Sequence, residues 1–348
     1  MFEFDQNHID MNGRTVLVTG GTGSFGTAFV NHIVSKFTVK KLIIFSRDED
    51  KQYHMANNLR LRLSEDSFSR IRFFIGDVRD AARLKLACKK VDFLVHAAAM
   101  KHVEISEYNP MECVKTNIVG AQNIVEAAIH ANVERVIALS TDKAVNPTNL
   151  YGASKLASDK IFVAANNLTG EGRTSFSIVR YGNVFGSRGS VIPLFLKLRA
   201  EKNNVLPITD ANMTRFWITI DAGVNFVMSC FGLMSGGEIF VPKIPSMKIT
   251  EIATLIAPDQ KQSVIGIRPG EKLHEVMITS DDAINTIEMP DRFVIQPSIK
   301  FNVETTAKKY TGKKVPTNFN YASDTNKHWM NKETFSQLLD EYVLKTTQ

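Results

Sequence analysis

In the first half of the chain, short apolar runs recur at 15–18, 41–45, 71–75, 93–96, 135–139 and 175–180. They are rich in Val, Ile, Leu and Phe, too short for helices, and lack the alternation of a half-exposed strand. Such runs are buried on both faces, as in a parallel sheet. Between them the apolar spacing changes to three and four. The clearest case is 113–131, where Val114, Ile118, Ala121, Val125 and Ala128 fall on one helical face. Strands alternating with helices predict βαβ units. After Asn183 the pattern loosens into short helical patches and turns such as Arg268-Pro269-Gly270. The expected division is a first domain over 1–182 and 216–242, and a smaller substrate lobe over 183–215 and 243–348.

Composition narrows the function classes. The chain has 348 residues, 44% of them hydrophobic and 22% charged, enough to bury a full core. The formal charge is +6. Its lysines come in scattered pairs (Lys40-Lys41, Lys89-Lys90, Lys313-Lys314) without a long basic block or interleaved aromatics. That argues against nucleic acid as a partner and suits small anionic ligands. Cys88, Cys113 and Cys230 lack metal or disulfide spacing and read as reduced, buried thiols. No apolar run reaches the roughly 18 residues of a membrane span. Residues 1–10 are mixed acidic and polar, without a leader's apolar core. A cytoplasmic protein with no membrane partner is expected.

Val16-Leu17-Val18-Thr19 runs into Gly20-Gly21-Thr22-Gly23-Ser24-Phe25-Gly26. Gly20, Gly23 and Gly26 give G-x-x-G-x-x-G between a strand and a helix. Glycine permits the tight turn and lets backbone N–H groups approach a pyrophosphate at the helix start. With the alternation, this predicts an α/β fold: a Rossmann-type doubly wound parallel sheet with a smaller mixed α/β substrate lobe. The second strand ends in Ser46-Arg47-Asp48-Glu49-Asp50-Lys51. Ser46 and Arg47 offer a hydroxyl and a guanidinium, suited to the 2′-phosphate of NADP; alternatively, Arg47 pairs with Asp48 or Asp50. Asp77 either accepts from the adenine amino group or caps a helix. The fourth strand ends in His96-Ala97-Ala98-Ala99-Met100-Lys101-His102, small residues against which a cofactor can lie, with Lys101 in reach of phosphate or sugar. His96 and His102 have no acid or cysteine to complete a metal set and read as structural; no metal is expected.

The fifth strand feeds Ser140-Thr141-Asp142-Lys143-Ala144-Val145-Asn146-Pro147-Thr148-Asn149-Leu150-Tyr151-Gly152-Ala153-Ser154-Lys155. Tyr151 and Lys155 are four apart and share a helix face. An ammonium beside a phenol lowers the phenol's pKa, which makes Tyr151 a base. Asp142-Lys143 stands at a strand's C-terminal end, where open α/β sheets bind ligands. As a surface pair it would only cap the following turn.

With these features in place the chain resembles an extended short-chain dehydrogenase/reductase. Several longer stretches narrow the resemblance: Ser46-Arg47-Asp48-Glu49, Phe74-Ile75-Gly76-Asp77-Val78-Arg79-Asp80, Ala138-Leu139-Ser140-Thr141-Asp142-Lys143-Ala144, Val179-Arg180-Tyr181-Gly182-Asn183-Val184, Met213-Thr214-Arg215-Phe216-Trp217-Ile218-Thr219 and Gly266-Ile267-Arg268-Pro269-Gly270-Glu271-Lys272-Leu273-His274-Glu275. They are similar to the inverting UDP-N-acetylglucosamine 4,6-dehydratases of pseudaminic acid synthesis, over about residues 15 to 300.

The resemblance implies a hydro-lyase that uses NADP without consuming it. C4 of UDP-N-acetylglucosamine is oxidised, water leaves across C5–C6, hydride returns to C6, and C5 is reprotonated on the other face. The product is UDP-2-acetamido-2,6-dideoxy-beta-L-arabino-hex-4-ulose. The implied cofactor set is Gly20, Thr22, Gly23, Ser24, Phe25, Gly26, Ser46, Arg47, Asp48, Glu49, Lys51, Asp77, Val78, Ala97, Lys101, Tyr151, Lys155 and Val184. Substrate falls to Lys101, Thr141, Asn183, Arg215, Arg268 and Glu271, with Arg268 on the diphosphate and Glu271 on the uridine ribose. Tyr151 takes the 4-hydroxyl proton, and Thr141 bonds the same oxygen. Lys143 is assigned as base at C5 and Asp142 as acid at C6, roles that are open to exchange. Lys143 then needs a lowered pKa, from burial or from Lys155, and Asp142 a raised one. A homo-oligomer is implied, built from dimers and extending to a hexamer. The rival readings are a C5-retaining dehydratase, which would carry an Asp-Glu pair here, a 4-epimerase, which needs no such pair, and a non-catalytic NADP-sensing scaffold, which would have lost Tyr151 or Lys155.

Overall fold

The computed structural model describes Phe4 and residues 8–170, 172, 174–187, 189–201, 205–299 and 310–347. Parts of the N-terminal stretch read for a leader, and of the tail beyond 300, lie outside the described residues. The six expected strands form as β1 (Thr15–Thr19), β2 (Lys41–Ser46), β3 (Ile71–Ile75), β4 (Phe93–His96), β5 (Arg135–Thr141) and β6 (Ser175–Tyr181). They lie in the order β3-β2-β1-β4-β5-β6 and are all parallel. Every residue of β1 is buried, because β2 and β4 flank it and helices cover both faces. On one face Phe29, Val30 and Ile33 of helix Ser24–Lys36 meet Phe226, Val227 and Phe231 of helix Ile220–Leu233. On the other, Ile124 and Ala128 of helix Gly120–His130 join Phe162 of helix Leu150–Ala165. The strand order reverses between β1 and β4, the kind of switch point outside whose C-terminal strand ends open α/β sheets bind ligands.

Beyond β6 the sheet continues through Ile239–Pro242, parallel, and Arg292–Ile295, antiparallel. Thr286–Glu288 and Lys313–Lys314 complete it. The expected assignment of everything after 243 to the substrate lobe is therefore corrected. These strands are only two to four residues long, and one contains a buried arginine, Arg292, whose guanidinium lies 4.8 Å from the Phe226 ring centroid. Elements that short leave no period to read.

The smaller lobe has its own core, including Phe185, Phe195, Trp217, Ile252 and Phe335. Its helices are Val191–Ala200, Ile249–Ile256 and Lys332–Thr347. The continuous helix expected over 113–131 is interrupted by a π-helical turn, Lys115–Val119. Asn117 in that turn reaches out of the helix: Met100 N donates to its Oδ1 (2.8 Å) and its Nδ2 donates to Met100 O (3.0 Å). The bulge thus fixes the loop after β4. No helix among the described residues is long and apolar enough to cross a membrane.

Candidate active site

The glycine turn sits at the sheet's switch point. Gly20 has φ +64, and a Cβ there would meet the Ala97 and Ala98 backbone at 2.9 Å. At Gly26 it would lie 2.4 Å from Gly20 O. Gly23 caps helix Ser24–Lys36 with no side-chain hydrogen bond, and the first intrahelical bond is Thr27 N to Gly23 O (2.8 Å). The N–H groups of Ser24, Phe25 and Gly26 are therefore presented at a positive helix end. A dinucleotide pyrophosphate fits this cradle. Thr22, Phe25 and Val78 are buried around it, and Ala97 is half-buried.

The polar residues at the strand tips have specific partners. Gln52 Nε2 donates to Ser46 Oγ (2.9 Å), Ser46 O (3.1 Å) and Phe74 O (2.9 Å). Asp48 caps helix Glu49–Arg62 by accepting from Lys51 N, and its carboxylate also holds the Lys51 ammonium. Glu49 is exposed in that first turn. Arg47 pairs with neither Asp48 nor Asp50: its guanidinium is 57% exposed and 3.5 Å from Asp77. Asp77 is not a helix cap, since Asp80 caps Ala81–Ala87. It accepts from Arg79 N (2.9 Å), Nε (2.9 Å) and a terminal nitrogen (2.7 Å). Burial pushes its carboxyl up, but these bonds prevail and hold it below the usual range. His96 is buried, 2.8 Å from Thr19 Oγ1, and desolvation with the nearby Lys155 charge lowers its pKa to about 3. It is a neutral structural residue. Lys101 is exposed on the loop after β4.

β5 runs two residues further than its apolar pattern, to Thr141, and breaks into a 3-10 turn, Asp142–Ala144. Thr141 Oγ1 accepts from Lys143 N (3.3 Å) and donates to Asp142 Oδ1 (2.9 Å). Helix Leu150–Ala165 packs on this turn, capped by Asn149, which accepts from Gly152 N (2.7 Å). It buries Tyr151 and Lys155 on one face, at 9% and 5% exposure. Lys155 Nζ donates to Leu139 O (2.7 Å), which leaves two of its three donors for a ribose. Its pKa is lowered by burial, against the charge of Asp159.

Two electrostatic expectations are corrected. Tyr151 is not made more acidic by Lys155: burial raises its pKa to about 12, and the opposing charge is that of Lys143, helped by a hydrogen bond with Thr141. Lys143 is not a depressed lysine. Burial works to lower its pKa, but Asp142 and Glu275 outweigh burial and raise it. Its Nζ stands 3.1 Å from Asp142 Oδ1, 3.3 Å from Asn183 Oδ1 and 3.3 Å from Glu275 Oε1. Asp142 follows expectation. It is fully buried, its pKa is raised by desolvation against the pull of Lys143, and its Oδ2 has no hydrogen-bond partner among the described residues.

Around this pair, Asn183 and Val184 form a short strand paired with Trp217 and Ile218. Arg215 is buried and its donors go to backbone: Thr214 O (2.7 Å), Leu273 O (3.1 Å) and Lys272 O (2.9 Å). Its remaining charge faces Glu275 at 3.7 Å instead of standing free. Arg268 is exposed at a turn closed by Glu271 N to Arg268 O (3.0 Å). That turn rests on the Tyr151 helix, where Thr148 Oγ1 (3.0 Å) and Asn149 Nδ2 (2.8 Å) both donate to Gly270 O. Glu271 Oε2 is buried without a partner among the described residues. The residue missed from sequence is Glu275, a buried carboxylate against Lys143. Its motif was in view, but its pairing runs between segments more than 130 positions apart in the chain.

The parallel sheet, the glycine turn at its switch point and the shared face of Tyr151 and Lys155 define an extended short-chain dehydrogenase/reductase. Residues 16–297 match the family model described as polysaccharide biosynthesis protein. A Campylobacter jejuni relative named UDP-N-acetylglucosamine 4,6-dehydratase (inverting) is 53% identical over 336 residues, 94% of this chain and 97% of that protein. A Rickettsia conorii relative named UDP-glucose 4-epimerase is 39% identical over 289 residues, 81% of this chain and 82% of that one. The X-ray structure of Pen from Bacillus thuringiensis matches at TM-score 0.85 and 33% identity, covering 97% of this chain and all (100%) of Pen. The chain belongs to this polysaccharide biosynthesis family, and within it to the inverting UDP-N-acetylglucosamine 4,6-dehydratases.

Proposed function

We propose that this chain dehydrates UDP-N-acetylglucosamine across C5 and C6 with inversion at C5, using NADP held in the glycine cradle. The product is UDP-2-acetamido-2,6-dideoxy-beta-L-arabino-hex-4-ulose, a first intermediate of pseudaminic acid-type sugars. The observation that carries this reading is Lys143, where a retaining enzyme would carry a second carboxylate, 3.1 Å from a fully buried Asp142 beside Tyr151. The 53% identity to the Campylobacter jejuni dehydratase supports it.

NADP is favoured over NAD because Arg47 is mostly exposed and its one carboxylate partner, Asp77, is already held by Arg79. Bound there, the nicotinamide would supply the acceptor and store for the hydride exchanged between C4 and C6. The chain's own groups manage the protons. Tyr151 and Thr141 face one another where the 4-hydroxyl is deprotonated. Lys155 holds the ribose. Asp142 and Lys143 divide the elimination. As they stand they are an ion pair, and a proton passed from Nζ to Oδ1 leaves a neutral amine and a neutral acid. Excluding water favours that neutral pair. The amine then takes the C5 proton, and the carboxylic acid protonates the C6 hydroxyl as it leaves as water. Arg268 clamps the diphosphate, with a forked guanidinium matched to phosphate oxygens. The exposed apolar row Ile105, Tyr108, Met111 and Val119 suits the subunit contact of a homo-oligomer.

Proton NMR of the reaction in heavy water tests the reading. A new C6 methyl signal, solvent deuterium at C5 and an L-configured product are expected without added cofactor. Absence of the methyl would overturn dehydration, and a D-configured product would overturn inversion. An epimerised sugar with an intact C6 hydroxyl would favour the activity named for the Rickettsia relative.

A further inference from the structure

Glu275 is 2% exposed. A buried carboxylate is costly unless cations and donors match it. Three cations surround this one: Lys143 at 3.3 Å, Arg215 at 3.7 Å and Lys272 at 3.9 Å. Two of them are fixed elsewhere. Arg215 is tied to three backbone carbonyls, and Lys272 Nζ donates to Val145 O. Lys143 is the one whose side chain also reaches the open part of the site, at 28% exposure. Glu275 is itself anchored by Ser323. Glu275 N donates to Ser323 Oγ (2.9 Å) and Ser323 N donates to Glu275 O (2.8 Å). The backbone that carries the carboxylate is therefore held in place, and Oε2 has no hydrogen-bond partner among the described residues.

An ammonium has three donors. At Lys143 they meet Asp142, Asn183 and Glu275, all within 3.3 Å. Asp142 is the chain neighbour, and Asn183 is uncharged. Glu275 is thus the contact that adds negative charge from outside the Asp142–Lys143 pair and pulls Nζ away from it. The other groups that act on Lys143 are Arg215 behind it and the Tyr151 phenol on the facing helix. Lys272 stands across Glu275.

We propose that Glu275 is a positioning residue: it clamps Lys143 Nζ between two carboxylates, fixing where the nitrogen stands and keeping it protonated until substrate arrives. The inference rests on the proposed role of Lys143 and deepens it. The Glu275 carboxylate also raises the pKa of Asp142, so it acts on both ends of the proton's path from Nζ to Asp142, and so on when the lysine becomes a base at C5.

The test reads Lys143 directly, without turnover. Purified full-length protein is acylated sparingly with acetic anhydride at one mildly alkaline pH, and labelling at Lys143 is compared with that at exposed Lys160 by peptide mass spectrometry. Only the neutral amine reacts, so each unit of pKa lowering raises the ratio about tenfold. Glu275→Gln keeps the shape and removes the charge, and is expected to raise the ratio about tenfold or more. Glu275→Asp keeps the charge, and its ratio is expected to stay near that of the unaltered protein. An unchanged ratio in Glu275→Gln overturns the proposal. So does an equal rise in both variants, the signature of loosened packing. If Glu275→Gln does not yield folded protein, the unaltered protein carries the test: Lys143 is expected to label at least about tenfold less than Lys160 at that pH, and equal labelling overturns the clamp. A shifted ratio in protein that makes no methyl product would sink the dehydratase reading and leave the clamp standing.

Discussion

Gly152 stands so close to Lys143 that a Cβ on the glycine would lie 2.2 Å from the lysine's carbonyl oxygen. The obstruction is backbone, so no side chain can turn away to relieve it. Gly152→Ala gains helix propensity but must push the 142–144 turn off the helix, at a cost of about 1–3 kcal/mol. The expected result is a lowered melting temperature and a fall in kcat larger than any change in cofactor binding. Thermal unfolding together with steady-state kinetics checks this.

Lys143→Ala removes the amine and leaves Asp142 buried without its cation. Elimination should be lost, so no C6 methyl forms, while NADP stays bound because Lys143 lies outside the glycine cradle. NMR of the product and absorbance of retained cofactor report the two effects separately. Near-normal methyl formation would remove Lys143 from the mechanism.

Arg47→Ala should weaken NADP binding by about 1.5–3 kcal/mol, roughly 10- to 150-fold, and leave NAD affinity near its original value. Among the described residues Arg47 makes one long ion pair, so little stability goes with it. Titration calorimetry with both cofactors on apo-protein is the check, and equal losses for the two would assign Arg47 elsewhere.

His96 makes the fold sensitive to acid. Its pKa is near 6.5 in an unfolded chain and about 3 here, so the unfolded state binds the proton first. Stability present above pH 6.5 is lost progressively below it, down to about pH 3. Linkage puts the loss at pH 5 at about 2 kcal/mol. His96→Asn, which does not titrate in this range, should start less stable and lose about that much less between pH 7 and pH 5. Denaturant midpoints at the two pH values measure the difference.

The parts of this molecule that sequence revealed are those with local causes. β1, β2, β4, β5 and β6 are legible because burial on both faces demands apolar runs; β3 is the sheet's edge strand, with Ile75 48% exposed, and shows by its apolar composition alone. The cradle is legible because Gly20 and Gly26 have no room for a Cβ. Tyr151 and Lys155 share a face by helix geometry alone. The errors came from distances set by tertiary packing. Lys155 turns its ammonium to Leu139 O, so the charge that acts on Tyr151 is that of Lys143. Lys143 stays charged because Asp142 beside it, and Glu275 from more than 130 residues away, outweigh its burial. The π-helical turn at 115–119 exists to satisfy the Met100 backbone, which no periodicity within 113–131 could announce.

The two hydrogen bonds from Thr148 and Asn149 to Gly270 O couple two jobs. Asn149 is also the cap of the helix that carries Tyr151, so the turn proposed to grip the nucleotide is fastened to the start of the helix proposed to do the proton chemistry. Under the proposed function, recognition of the uridine diphosphate end would be felt at the sugar's C4. A sugar phosphate lacking uridine should lose turnover as well as affinity, because binding energy gathered at one end of the substrate is spent aligning the other.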